Sequence, residues 1–160
     1  MPLSLRCLVR QACILACLAL AAPAGVALTI TRDRQMEFGS LVPIQANGKV
    51  TLMPSGARST DGVALFSQGS APASSASFTI SGGSAGAVCD IGLPADGTVV
   101  ATGAGSTMPL NSFTSTPLAR ITLNGAGGGT IAVGATLSVG APRPAGDFTA
   151  PDFPVTISCP

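Results

Sequence analysis

One stretch of the sequence matches a hydrolase motif in form. Gly82-Gly83-Ser84-Ala85-Gly86 has the G-x-S-x-G spacing of a nucleophile elbow. Such an elbow turns a strand into a helix and needs a histidine to take the serine proton. The chain contains no histidine, and strand sequence follows Gly86, so Ser84 is expected in a turn. The run Asn124-Gly125-Ala126-Gly127-Gly128-Gly129 could cradle a phosphate only with a helix behind it and a lysine at its end. Thr130-Ile131-Ala132-Val133 follows instead, again strand sequence. Lys49, the only lysine, could serve a serine–lysine dyad, but it opens a strand at Gly48-Lys49-Val50. Asp61-Gly62 and Asp96-Gly97 are turn dipeptides. The other carboxylates are isolated and carry no calcium-ligand or paired-acid spacing. The residues therefore predict no catalytic group, no cofactor and no metal, and the protein reads as a non-enzyme.

Composition points the same way. Histidine, the commonest general base and metal ligand, is missing, as are Trp and Tyr, the usual stacking platforms; six Phe remain. Charged residues make up 9% of the chain, in no block of either sign. Nucleic-acid binding needs a basic stripe against phosphates, and there is none. A surface of Ser, Thr, Gly and Ala is left, common in exported and assembled β-proteins.

Gly and Pro punctuate the chain at short intervals rich in Thr, Val, Ile and Phe, too short for ordinary amphipathic helices. Short strands with turns between them predict an all-β sandwich in one domain, residues 28–160. Expected strands are 35–41, 49–53, 62–66, 77–81, 87–93, 98–101, 108–113, 119–123, 130–133, 136–139 and 153–159. The last has the clearest period: Phe153, Val155, Ile157 and Cys159 share one face, and Pro154, Thr156 and Ser158 the other. Ala87, Cys89, Ile91 and Leu93 alternate likewise, so both cysteines fall on core-facing stripes.

The N-terminus decides what those cysteines do. Arg6 and Arg10 precede the apolar run Ala12–Ala22 and a small-residue exit, Pro23-Ala24-Gly25-Val26-Ala27, the pattern of a secretory signal peptide, residues 1–27. The apolar run is short of the roughly 20 residues that a membrane span needs. A lipoprotein reading, with Cys17 lipidated, fits less well because Leu15 stands where a small residue is preferred. Cleavage removes Cys7, Cys13 and Cys17 and leaves Cys89 and Cys159 as a pair. In an exported chain a Cys89–Cys159 disulfide is the leading expectation, with two buried free thiols as the alternative. The mature protein is expected in the periplasm, at the cell surface or outside the cell, with no membrane span.

An ordered set of short motifs carries a resemblance. Met36-Glu37-Phe38-Gly39 looks like the L-x-F-G opening of a bacterial family of exported, fimbrial-like domains of unknown function. Gly48-Lys49-Val50-Thr51, Phe78-Thr79-Ile80-Ser81-Gly82, Val133-Gly134-Ala135-Thr136-Leu137 and Ala145-Gly146-Asp147-Phe148-Thr149 follow in order. Met36, Phe38, Gly39, Gly134, Leu137, Gly146 and Phe148 are the signature positions. That family is similar to archaic chaperone–usher pilins and spore-coat U proteins. The resemblance implies an immunoglobulin-like, pilin-like antiparallel sandwich, assembly in place of catalysis, and identical or related subunits and a periplasmic chaperone as partners. In such pilins a neighbour's N-terminal strand completes the sandwich.

Here Val26, Leu28 and Ile30 alternate on one face and form either a short donor strand or the domain's own first strand. The competing class is a stand-alone periplasmic or secreted binding module presenting the loops 102–107 and 124–129. Relatives usually have a longer apolar segment before L-x-F-G, so the cut site matters. N-terminal sequencing of the exported protein is expected to begin at Gly25 or Leu28; a start at Cys17, or an uncleaved chain, contradicts the signal-peptide reading.

Overall fold

The structure is a computed structural model and describes residues 27–44, 47–65, 72–140 and 144–160. The expected signal peptide, with Val26 and the first three cysteines, lies outside these residues. Among the described residues there is no helix, and so none long and apolar enough to cross a membrane. The strands are β1 (Thr29–Arg34), β2 (Glu37–Pro43), β3 (Asn47–Leu52), β4 (Arg58–Asp61), β5 (Val63–Leu65), β6 (Ala76–Ser81) and β7 (Val88–Gly92). They continue as β8 (Val99–Gly103), β9 (Ser106–Thr116), β10 (Arg120–Thr122), β11 (Gly129–Gly140), β12 (Gly146–Thr149) and β13 (Thr156–Ser158).

All their pairings are antiparallel, and most belong to one curled sheet in the order β1-β6-β11-β9-β8-β12-β2-β5. Strand β3 joins it by pairing with β11 and β4. Because only Gly62 separates β4 from β5, the pairings run in a closed circuit: β11 to β9, β8, β12, β2, then β5/β4, then β3 and back to β11. A sheet closed this way leaves few edges to be managed. In the other half β1, β6 and the first part of β11 pack as a sandwich on a small sheet, β10-β7-β13: the Phe78 ring lies 5.8 Å from that of Phe153, and Gly129 lies against Ile121.

Alternation of side chains fills both halves. Phe38, Leu41, Val50, Leu52, Met108, Leu110, Leu137 and Phe148 are fully buried on strands of the circuit, and Phe78, Ile80, Cys89, Ile121 and Ile131 are buried on strands of the two sheets of the sandwich. Thr, Ser and charged residues occupy the alternate, outward positions, such as Thr79 between Phe78 and Ile80. This is the period-two pattern of strands with one face wet.

The expected strands are found with several corrections. The two segments 130–133 and 136–139 are one strand, β11, because Gly134 does not break it. A Cβ at Gly134 would fall on the carbonyl oxygen of Leu52, so glycine is what lets β3 approach at the handover between partners. Segment 62–66 is found as β5, which begins at Val63; a strand outside the expected set, β4, ends just before Gly62 (φ +67°), and Phe66 lies outside the described residues. Strand β12 was read only as a motif. The last strand keeps its burial period, yet the ladder covers only Thr156–Ser158, since Pro154 has no N–H to donate. Replacing Gly134 by Ala is expected to cost about 2–4 kcal/mol of unfolding free energy by urea titration; an unchanged midpoint would refute the close approach.

Candidate functional site

The residues that could do chemistry are engaged in holding strands together. Ser84 lies in a turn whose carbonyl accepts the Ala87 N–H at 3.1 Å. In the glycine run, Asn124 Oδ1 accepts the N–H groups of Ala126 and Gly128 at 2.9 and 3.1 Å, and the Gly83 N–H donates to Gly127 O at 2.9 Å. Amides spent in this way are not free to cradle a phosphate. Lys49 Nζ stands 3.6 Å from Asp61 Oδ2 across the β3–β4 ladder, both exposed. Arg120 Nε bonds Asp90 Oδ1 at 2.6 Å across β10–β7. Asp96 Oδ1 accepts the Ser112 N–H at 2.7 Å, Ser40 Oγ donates to Asp147 across β2–β12, and Thr79 Oγ1 donates to Asp33 at 2.7 Å. Exposed pairs of this kind contribute roughly 0–1 kcal/mol each. Their effect is on register.

The signature positions are structural too. Met36, Phe38, Leu137 and Phe148 have no exposed surface. Gly39, at φ +71°, sits opposite Phe148, next to a register shift in the β2–β12 ladder. Gly146 packs on Ala104, in the tight turn between β8 and β9, where Ala104 and Gly105 both have positive φ. The proposed binding loops 102–107 and 124–129 are thus short turns lying on neighbouring backbone: a Cβ at Gly103 would fall on Asp147 O, and one at Gly127 on Gly83 O.

What remains is one side of the sandwich, where β1 and β13 are both edge strands. Strand β1 pairs with β6 of its own chain, Thr29 opposite Ser81 and Ile30 opposite Ile80. Leu28 and Ile30 are half-buried against the core while Thr29 and Thr31 face outward. Its second half is polar and bulged: the register shifts between Arg32 and Arg34, Arg34 Nε donates to Ser75 O at 2.9 Å, and Arg32 pairs with Asp152 just before β13. Charge and a bulge on an edge strand discourage further pairing. At the other end a groove of ≈ 420 Å³ opens between the two edges, lined by Leu28, Gly83, Ala87, Ile157, Cys159 and Pro160 among others.

The disulfide closes this side. Cys89 and Cys159 are bonded, with Cα atoms 4.2 Å apart. Ser158 pairs with Asp90, so Cys159 stands directly across from Cys89. The Ile91 N–H donates to Ala119 O on the β10 side, which puts Ile91, and by alternation Cys89, at positions not hydrogen-bonded to β13. That is the closely spaced pair of an antiparallel ladder, suited to a cross-strand bridge. Cys89 is fully buried and Cys159 half-buried.

Sequence reasoning thus reached the cysteine pair but missed the Arg32–Asp152 clasp, which joins residues 120 positions apart. It also missed Arg58, whose guanidinium donates to Phe38 O at 2.7 Å. No local signal marks either. Alkylation of the denatured, unreduced mature protein is expected to leave its mass unchanged; two alkylated thiols would contradict the bridge.

No curated protein and no solved structure matches the chain significantly. The sequence profile of a domain of unknown function, DUF4402, matches residues 28–158, from the residue before β1 to the end of β13. The chain therefore belongs to the DUF4402 family.

Proposed function

We propose that the mature chain is an exported, non-enzymatic structural protein: a fimbrial-type or cell-surface assembly subunit of immunoglobulin-like class. The observation that carries this reading is β1, a short edge strand whose one ladder partner among the described residues is β6 and whose apolar positions, Leu28 and Ile30, are only half-buried. A strand so placed can be supplied by the same chain or by another, because backbone ladders are indifferent to which chain provides them. The engagement of Asp33, Asp61, Asp90, Asp147 and Lys49 in cross-strand contacts supports a role in building structure, and the signal-peptide pattern of residues 1–27 supports assembly outside the cytoplasm.

A stand-alone periplasmic or secreted module is the second reading. It is favoured by the tether of β1: Gln35 Nε2 donates to Ala150 O at 2.6 Å and the next residue, Met36, is fully buried. This connection would have to loosen for β1 to leave.

A labelled peptide of residues 25–34, incubated with the purified mature protein, separates the two. Assembly predicts slow, concentration-dependent incorporation of the peptide and higher oligomers on size-exclusion chromatography. A monomer that never takes up the peptide contradicts assembly and leaves the second reading.

A further inference from the structure

We propose that the Cys89–Cys159 disulfide is a latch on the C-terminal strand: its reduction lets residues 154–160 peel from β7 while the rest of the domain stays folded. Little else holds that segment. Strand β13 has three residues and, among the described residues, a single ladder partner, β7. Pro154 and Pro160 contribute no N–H groups, and Val155 and Ile157 are only half-buried. Against these contacts stands the conformational freedom the segment regains on release.

Phe153 marks where peeling should stop. It is 7% exposed, with its ring 5.8 Å from that of Phe78 and 5.5 Å from that of Phe113. Just upstream, the Ala150 N–H donates to Met36 O at 3.0 Å. Strand β7 keeps β10 on its other side, so it does not depend on β13 to stay in the sandwich.

The bond is reachable from one direction. Cys159 lines the groove beside Leu28 and Gly83, whereas Cys89 has no exposed surface. A dithiol entering the groove attacks Cys159 Sγ, and Cys89 leaves as a thiolate. The dithiol's second sulfur then displaces Cys159. The dithiol is oxidised to its cyclic disulfide, and both cysteines are reduced to thiols. Release bares the outer edge of β7 and the inward side chains of Cys89 and Ile91, an unpaired strand edge of the kind that folded proteins usually keep covered.

Hydrogen exchange by mass spectrometry on the mature protein, oxidised and then in excess dithiothreitol, tests this, with Cys159→Ser as a second form. The reduced protein is expected to lose protection at 155–159 on the order of 100-fold or more, while peptides from β9 and β11 keep theirs. Cys159→Ser should match the reduced wild type; if that variant does not fold, the wild-type comparison decides. The proposal is overturned if 155–159 stay protected after reduction, if β9 and β11 lose protection in the same step, or if dithiothreitol leaves the native bond intact.

Discussion

Strand β11 is the constraint on which the rest of the structure depends. Its first part pairs with β6, its second with β3, and its other edge with β9 across the join. One continuous strand thus belongs to both the sandwich half and the closed half. Side chains alternate along it without interruption, so Ile131 and Val133 fill one half of the core and Leu137 and Val139 the other. The change of partner requires β3 to approach closely at Gly134, where any side chain would occupy the place of the Leu52 carbonyl. The missing Cβ at Gly134 thereby lets one strand serve both regions.

The polar chemistry is consistent with that architecture. Charged and hydroxyl side chains sit on outward faces and bond across ladders, as Thr51 and Thr136 do at 3.0 Å. Such contacts add little energy singly, but they oppose a slip of one residue, which would turn every apolar side chain outward. Apart from these contacts stand the facing edges of β1 and β13 and the one disulfide among the described residues.

What the sequence made legible follows from local against distant causes. The alternation at 87–93 and 153–159 is local, and it puts both cysteines on core-facing stripes; that they stand opposite each other is set by the β7–β13 register. The turn assignments of Ser84 and the 124–129 run were equally local, since a strand had to follow each. Strand β4 was hidden because its residues, Arg58 to Asp61, are polar and mostly exposed, and β12 because it is four residues long with only Phe148 fully buried. Gly134 was misread as a break since its reason is a carbonyl more than 80 positions away. The Arg32–Asp152 clasp was invisible for the same reason. The signature residues were legible as a pattern, but only the fold reveals that Phe38, Gly39 and Phe148 meet across β2 and β12.

Through β11 the two halves form one cooperative unit, and native-state hydrogen exchange of the β11 amides across a denaturant series measures that coupling. The amides of Ile131 and Leu137 are expected to exchange through one common opening, with the free energy and denaturant dependence of global unfolding. Two separate openings, one for each end of β11 and each with a smaller denaturant slope, would contradict it.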